Sequence, residues 1–226
     1  MDQPFAVEFD LAEPIVMDHG INLAGLLARR IYDLGDDDPL PKVPLKSVDG
    51  IFAGSDLLAV GPGLEFSLPF VRSLRPTAMQ HDLALHDRRG KRMTQITLRD
   101  ERKNLLDHRR AISVPLVVAF GTGDAGQVER LLRGITHIGA KRSGGHGAVE
   151  AFRITQLDHP HAGFANRDGK PTRAVPLPVW QSMNLPPAPV RYLVARLPRW
   201  SAPREPCVGP RDWRIEFETL DREFGL

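Results

Sequence analysis

The chain has 226 residues, of which 42% are hydrophobic and only one, Cys207, is a cysteine. It is therefore long enough to bury a core, but it cannot carry an intramolecular disulfide framework or a metal cluster built on thiolates. The 20 glycines and 20 prolines favour short strands, turns and long ordered loops. The N-terminus has no basic segment followed by an apolar one, and no apolar run approaches membrane-spanning length. We expect a cytoplasmic protein without a signal peptide or membrane contact.

The net charge of +2 conceals a segregation of charge along the chain. Residues 1–71 hold 4 Lys and Arg against 12 Asp and Glu, residues 72–110 hold 11 against 5, and residues 111–226 hold 15 against 11. A basic middle segment after an acidic first third suggests that one side of the molecule binds a polyanion. A solvated charged surface would give the same pattern, so the charge distribution alone leaves both alternatives open.

The first third of the chain predicts a strand and then a helix. The apolar residues Phe5, Val7, Phe9 and Leu11 alternate with small or charged ones, which predicts a strand with one buried face. Asn22 can cap a helix, because the residues after it follow helical spacing: Leu23, Leu26, Leu27, Ile31 and Leu34. Short strands are predicted around residues 51–52 and 57–60.

The middle of the chain predicts a second strand and helix after a basic insertion. From Phe66 to Arg110 the sequence is polar and basic, and a core-like strand resumes at Val114–Phe120. Asp124 can cap a short helix, and a strand is predicted from about Ala148 to Thr155. Without the insertion the order is β-α-β-β-α-β, so the predicted fold class is α+β with a ferredoxin-like (RRM-like) core.

This order of strands and helices predicts that the chain has two parts. Residues 1–155 are predicted to form the core, with a basic insertion at about 66–112, and residues 156–226 form a proline-rich extension that contains strands. In that extension "RYLVARL", residues 191–197, is typical of a buried strand. "WRIEF" alternates with Trp213, Ile215 and Phe217 on one face, which predicts another strand.

A glycine-rich loop precedes the predicted strand at 148–155. In "HIGAKRSGGHGAVEAFRI", residues 137–154, three glycines lie close together and follow two cations and a hydroxyl: Lys141, Arg142, Ser143, Gly144, Gly145 and Gly147. Glycines allow a backbone to approach phosphate and sugar closely, and their amides can donate to an anion. The two cations can neutralise phosphates and the serine can bond a phosphate or a ribose hydroxyl. Alternatively, the loop uses glycine for its turns alone.

A second glycine motif suggests a different ligand. Gly121, Gly123 and Gly126 have the G-x-G-x-x-G spacing, after a predicted strand and at the start of a predicted helix, as dinucleotide binding requires. Two observations count against an NADP-binding enzyme. No further β-α units follow the glycine-rich loop, and the helix ends near Gly134. We favour a tight strand-to-helix turn and keep dinucleotide binding as an alternative.

Three segments resemble the RAMP proteins of CRISPR systems (repeat-associated mysterious proteins). "IGAKRSGGHGAVEAFRI" is similar to the family's glycine-rich loop and following strand. "PIVMDHGINLAGLLARRI" resembles the entry to the first helix of the five-family subunit, in the form found in type IV systems, and "RYLVARLPRW" is similar to a later strand of that subunit. Two features depart from the family pattern: His146 stands where many of these loops carry an aromatic residue, and an upstream glycine is missing.

The resemblance implies a non-catalytic subunit that binds guide RNA and caps its five-prime handle. Its partners would be a repeated backbone RAMP subunit, a large subunit at the same end of the complex and, in addition, target DNA. RNA contacts would come from the loop residues named above together with His146. The basic insertion resembles the family's thumb, with phosphate contacts from Arg88, Arg89, Lys91 and Arg92 and with Met93 as an apolar wedge. A basic track would continue through Arg99, Arg102, Lys103, Arg109 and Arg110, although this stretch is equally typical of a surface helix with many salt bridges.

An endoribonuclease is the alternative from a different class. Some relatives cut repeat RNA by metal-independent acid-base chemistry, which needs a base for the ribose hydroxyl and an acid for the leaving oxygen. His146 with Lys141 could supply these groups, with His137 nearby, but neither tyrosine of the chain lies in the loop. His159 and His161 beside Asp158 have no further ligand spacing, so we expect a turn there. The sequence therefore predicts no catalytic residue, metal or cofactor.

Overall fold

The computed structural model describes residues 2–17, 20–72, 105–199, 201–210, 214–217, 220 and 222, and within them the fold is α+β. The helices are α1 (Leu23–Asp33), α2 (Ala125–Leu132) and α3 (Leu177–Ser182). The strands are β1 (Gln3–Leu11), β2 (Ile15–Val16), β3 (Ser47–Val48), β4 (Ile51–Phe52), β5 (Leu58–Val60), β6 (Leu64–Arg72), β7 (Leu105–Ser113), β8 (Leu116–Gly123), β9 (Val149–Gln156), β10 (Val175–Pro176), β11 (Val190–Leu193), β12 (Glu205–Val208) and β13 (Arg214–Ile215). In this part of the chain, no helix has the length and apolar character needed to cross a membrane.

The described residues divide into two compact units, residues 1–65 with 111–226, and residues 66–110. A five-stranded sheet in the order β13-β5-β8-β1-β9 forms the centre of the first unit. β1 pairs antiparallel with β8 on one side and β9 on the other, β8 pairs antiparallel with β5, and β13 runs parallel to β5. The predicted strands at β1, β8 and β9 are confirmed.

The two helices that follow β1 and β8 begin at the predicted caps. The Asn22 side chain accepts a hydrogen bond from the amide of Ala24 at 3.0 Å, and the Asp124 carboxylate accepts one from the amide of Gln127 at 2.9 Å. A cap of this kind stabilises a helix by about 1 kcal/mol. The apolar faces of α1 and α2 join one buried cluster with the inward side chains of β1, including Phe5, Val7, Phe9, Leu23, Leu27, Val128 and Leu132.

The opposite face of the sheet is partly covered by the chain that follows β9. Ala6, Val118 and Phe120 form a second buried cluster with Leu157 and Ala162. The hydroxyl of Thr122 also donates to the carbonyl of Ala162 at 2.9 Å. Residues after 156 therefore complete the core of the first unit.

A three-stranded sheet in the order β10-β12-β11 and helix α3 organise the C-terminal part of that unit, around the buried Trp180. The prediction of a buried strand at "RYLVARL" was wrong: β11 ends at Leu193, and Arg191 and Tyr192 are exposed because β11 lies at the edge of its sheet. Within the described part of "WRIEF", residues 214–217, the strand is β13 and Phe217 is about half exposed. Trp213 lies outside the described residues.

The second unit, residues 66–110, contains most of β6 and β7. Within it Oγ of Ser67 lies 3.3 Å from Nδ1 of His108. Most of the basic residues predicted in the insertion precede β7 and lie outside the described residues, as does Met93. They are Arg88, Arg89, Lys91, Arg92, Arg99, Arg102 and Lys103.

Candidate nucleic-acid interface

The glycine-rich loop connects α2 to β9 and is anchored at both ends by backbone hydrogen bonds. The amide of Ala140 donates to the carbonyl of Val16, and the amide of Gly147 donates to the carbonyl of Pro14, each at 2.9 Å. Ile138 closes the base of the loop by donating to the carbonyl of Gly147 at 2.8 Å. The tip, residues 141–145, therefore stands on a fixed base.

Two of the glycines serve the packing of this base. Gly139 has φ +96°, and a Cβ there would lie 2.8 Å from Cγ1 of Ile15. Gly147 has φ +68°, and a Cβ there would collide with the carbonyl oxygen of Ile138. At these two positions the loop needs glycine for its own fold, which agrees with the alternative that it uses glycine for its turns.

The tip is a single 3-10 turn, Arg142–Gly144, between two residues in the left-handed region: Lys141 with φ 60° and Gly145 with φ 85°. A left-handed conformation is uncommon for a lysine and is found where the surrounding structure holds it in place. Ser143, Gly144 and Gly145 are exposed, whereas Lys141 and Arg142 are half-buried. The turn thus presents a hydroxyl and two glycines to solvent, with two cations along its side.

The predicted role of the glycine amides as anion donors is wrong at three positions. Gly144 donates to the carbonyl of Lys141 at 2.9 Å, Gly145 donates to the carbonyl of Arg142 at 3.0 Å, and Gly147 donates to Pro14. These amides are committed to closing the turn and anchoring the loop. At the tip, the side chains of Lys141, Arg142 and Ser143 remain as the candidate contacts to an anion.

The side of the tip forms one wall of an open cleft of about 630 Å³. Residues of helix α1 and of the chain after α2 line the same cleft. The lining residues are Leu26, Arg30, Asp33, Gly134, Ile135, Thr136, His137, Lys141, Arg142 and Ser143. The cleft has more cations than carboxylates, since Asp33 is its single carboxylate, and its lining includes the apolar Ile135.

Arg142 also lines a second, smaller cleft of about 380 Å³, together with Arg29 and Arg199. The guanidinium of Arg29 is paired with Asp33 at 2.7 Å, and that of Arg199 with Asp56 at 2.7 Å. Sequence reasoning missed the arginines of α1 and Arg199. The sequence does offer one signal for the arginines of α1: the pair Arg29-Arg30 follows the apolar Leu26 by one helical turn.

His137 and His146, the histidines of the alternative nuclease site, lie before and after the tip of the loop. Nδ1 of His137 lies 3.0 Å from the hydroxyl of Thr136, and its backbone bridges to Ala148. His146 is half-buried, and its ring lies beside Gly144, where a Cβ would be 3.6 Å from Cδ2.

The two predicted RNA-binding arginines that the structure describes in the second unit are Arg109 and Arg110. Oδ2 of Asp107 accepts from Nη2 of Arg109 at 2.6 Å and from Nε at 2.8 Å, so both nitrogens of this ion pair meet one carboxylate oxygen. Both arginines lie on β7. The alternative of a surface helix is therefore wrong for this end of the basic track.

The glycines of the G-x-G-x-x-G motif face the protein's own chain. A Cβ at Gly123 would lie 2.7 Å from Cα of Leu45 and would also collide with the carbonyl of Pro44. That carbonyl accepts the amide of Asp124 at 3.0 Å, at the position where a pyrophosphate would meet the helix. Residues 44–46 pack closely over this turn, and this packing explains why a glycine stands at position 123.

His159 and His161 lie in a turn, as expected from the sequence. Nε2 of His159 lies 2.8 Å from the carbonyl of Ala165, and the two rings meet edge to face with centroids 6.2 Å apart. Burial, followed by the neighbouring His159, lowers the pKa of His161. Within the described ranges no three His, Cys, Asp or Glu residues are grouped to hold a metal ion.

Comparison with known proteins identifies the family. No curated protein matches the chain. A family model described as CRISPR type IV associated protein Csf3 matches residues 74–186, which is half of the 226 residues and includes β8, α2, the glycine-rich loop and β9. The resemblance to the five-family RAMP subunit of type IV systems is thereby confirmed. The chain belongs to the Csf3 family of CRISPR type IV associated proteins.

Proposed function

We propose that this chain binds the guide RNA of a type IV CRISPR complex and caps the five-prime handle of that RNA. The observation that carries the proposal is the anchored tip of the glycine-rich loop, with Lys141, Arg142 and Ser143 on one side of a cleft. A preorganised cationic turn loses little conformational freedom when it binds a phosphate, so more of the contact energy contributes to affinity. Family membership supports the complex, and the tip supports the RNA contact.

We further propose that the first unit has a ferredoxin-like core. The support is the all-antiparallel order β5-β8-β1-β9, with α1 following β1 and α2 following β8. This is the strand arrangement of a β-α-β-β-α-β motif in which β5 and β8 are the second and third strands. The unit at residues 66–110 then interrupts the motif between those two strands and corresponds to the proposed thumb.

In this proposal the protein works in the cytoplasm and contacts a repeated backbone RAMP subunit, a large subunit and target DNA. The thumb cations Arg88, Arg89, Lys91 and Arg92 contribute more to assembly with the neighbouring subunit than to handle binding. These assignments rest on family membership and on the basic composition of the insertion.

Removing both cations of the tip tests the RNA contact. We expect the double variant Lys141→Ala, Arg142→Ala to bind single-stranded handle RNA roughly five- to 150-fold more weakly, at about 0.5–1.5 kcal/mol per lost contact. The slope of log affinity against log salt should fall by about 1.4, at about 0.7 per phosphate contact to a single strand. Filter binding across a salt series measures both quantities.

A matched control separates this local effect from the general loss of charge. The double variant Arg167→Ala, Lys170→Ala removes two exposed cations that line neither cleft, so its affinity and salt slope should stay close to wild type. Circular dichroism checks that both variants are folded. Equal behaviour of the two double variants would refute the proposed RNA contact.

The variant His146→Ala tests the alternative of an RNA-cutting enzyme. We expect it to leave processing of repeat RNA intact in cells, because neither tyrosine of the chain lies in the loop and Nδ1 of His137 lies 3.0 Å from the hydroxyl of Thr136. Northern blotting of mature guide RNA measures the outcome, with complex assembly checked by co-purification. Loss of mature RNA in an assembled complex that still binds RNA would move the protein into the enzyme class.

A further inference from the structure

Arg30 lies in the last turn of α1 and lines the cleft of about 630 Å³ together with Lys141, Arg142 and Ser143 of the glycine-rich loop. Its Nε atom is buried, and within the described chain it has no hydrogen-bond partner. The guanidinium lies directly over Gly134, where a Cβ would collide with it. A buried guanidinium nitrogen without a partner is costly. Because Arg30 lines the cleft, an anion bound there would stabilise the positive charge of the guanidinium.

The remaining lining fits more than a bare phosphate. The single carboxylate of the cleft, Asp33, is already paired with Arg29 at 2.7 Å, which leaves the cleft with a positive balance. Thr136 and Ser143 supply hydroxyls, and Ile135 supplies apolar surface. The volume of about 630 Å³ is in the range of small-molecule sites and exceeds what a phosphate group alone would fill.

We propose that Arg30 is a phosphate-binding residue and that this cleft holds one nucleotide of a bound single-stranded RNA. The inference rests on the proposed RNA-binding function. Arg30 binds a phosphate from the helix side, while Lys141 and Arg142 bind from the loop side. The strand therefore runs between α1 and the glycine-rich loop, and is held from both walls. A purely structural role for Arg30, as a cation at the end of a helix, is the alternative.

The variant Arg30→Gln tests the proposal on the full chain with a short, fluorescein-labelled single-stranded RNA in an anisotropy titration over a salt series. We expect about tenfold weaker binding and a salt slope reduced by about 0.7, the value for one phosphate contact to a single strand. Arg30→Lys keeps the charge and should retain the slope. Arg133→Gln is the matched control, because Arg133 is exposed, paired with Glu129 and outside both clefts.

Gly134→Ala provides a second test that leaves every charge in place. The added methyl group needs the space of the Arg30 guanidinium, and a flexible side chain can move away without disturbing the fold. We expect RNA affinity to fall severalfold in this variant. Because the effect acts through Arg30, the same substitution should have no further effect when it is combined with Arg30→Gln. Thermal unfolding of each variant confirms that the protein is folded.

The outcomes separate this inference from the proposed function. If Lys141→Ala, Arg142→Ala lowers the slope while Arg30→Gln matches Arg133→Gln, the role of Arg30 is refuted and RNA binding by the loop stands. If neither changes affinity or slope, both proposals fail. An affinity loss in Arg30→Gln with an unchanged slope, not rescued by Arg30→Lys, would assign Arg30 the structural role and also refute the inference.

Discussion

Replacing Arg173 with methionine is expected to destabilise the protein by about 3–5 kcal/mol. Arg173 is 1% exposed, and its guanidinium donates to carbonyls from three parts of the first unit. Nη1 donates to Phe52 at 2.6 Å and to Gly54 at 3.3 Å, Nη2 donates to Ala195 at 2.6 Å, and Nε donates to Ala174 at 3.0 Å. Methionine fills a similar volume but removes these donors, at about 1–3 kcal/mol for each carbonyl that stays unsatisfied. The carbonyls of Phe52 and Gly54 keep a second donor, the amide of Gly54 and the side chain of Asn22.

The charge of this buried group is retained at neutral pH. Burial lowers the pKa of Arg173 to about 10, and the nearby Asp56 opposes that shift. Since a pKa of about 10 lies above neutral pH, the guanidinium stays protonated and keeps its donors. We therefore expect the loss in Arg173→Met to be nearly the same throughout the range from mildly acidic to mildly alkaline pH.

Urea unfolding followed by circular dichroism measures this prediction. Arg133→Met is the matched control, because Arg133 is exposed and forms an i,i+4 pair with Glu129 at 2.7 Å, which is worth about 0.3–0.5 kcal/mol. A loss below about 1 kcal/mol in Arg173→Met would mean that the carbonyls find other donors. The contribution of Arg173 to joining β4 with the C-terminal sheet would then be small.

Replacing Gly147 with alanine is expected to destabilise the protein by roughly 2–4 kcal/mol, the second-largest effect we expect. An L-residue in the left-handed region costs about 1–2 kcal/mol. Its Cβ would also collide with the carbonyl of Ile138, and overpacking of this kind costs about 1–3 kcal/mol. Because that neighbour is backbone, it cannot move aside as a side chain could.

The two glycines at the tip supply graded controls for this prediction. Gly145 has φ +85° with open space around it, so Gly145→Ala should cost only the conformational term, about 1–2 kcal/mol. Gly144 has an ordinary φ, and a Cβ there would be 3.6 Å from His146, so Gly144→Ala should stay within about 0.5 kcal/mol. Thermal or urea unfolding measures the series. Equal losses at Gly144 and Gly147 would contradict the assignment of Gly147 to the base of the loop.

This grading also separates folding from RNA binding within one loop. Gly139 and Gly147 allow close packing, whereas the tip carries the cations that we propose for RNA contact. Variants of the tip can therefore be compared for RNA affinity without loss of the fold. Variants of the base cannot be compared in this way, because they would lower RNA affinity by unfolding the loop.

Much of the local structure could be predicted from the sequence by itself. The alternation from Phe5 to Leu11 determined β1, because a half-buried strand requires a period of two. Asn22 and Asp124 determined where α1 and α2 begin, because their side chains satisfy helix amides that the helix itself leaves unpaired. The cluster of glycines after two cations located the loop that carries the candidate site. Each of these signals acts over a few neighbouring residues.

Tertiary structure decided which of these residues can meet a ligand. The amides of Gly144, Gly145 and Gly147 were available in the sequence, but their partners are carbonyls that the folded chain supplies, including Pro14 from a distant segment. Arg30 became a candidate only because the fold brings α1 and the loop, more than a hundred residues apart in the chain, to the lining of one cleft. Residues 191–197 failed as a buried strand for a related reason: an edge strand and a central strand can have the same apolar pattern. Burial and hydrogen-bond satisfaction depend on neighbours that are distant in sequence, so only the folded chain decides them.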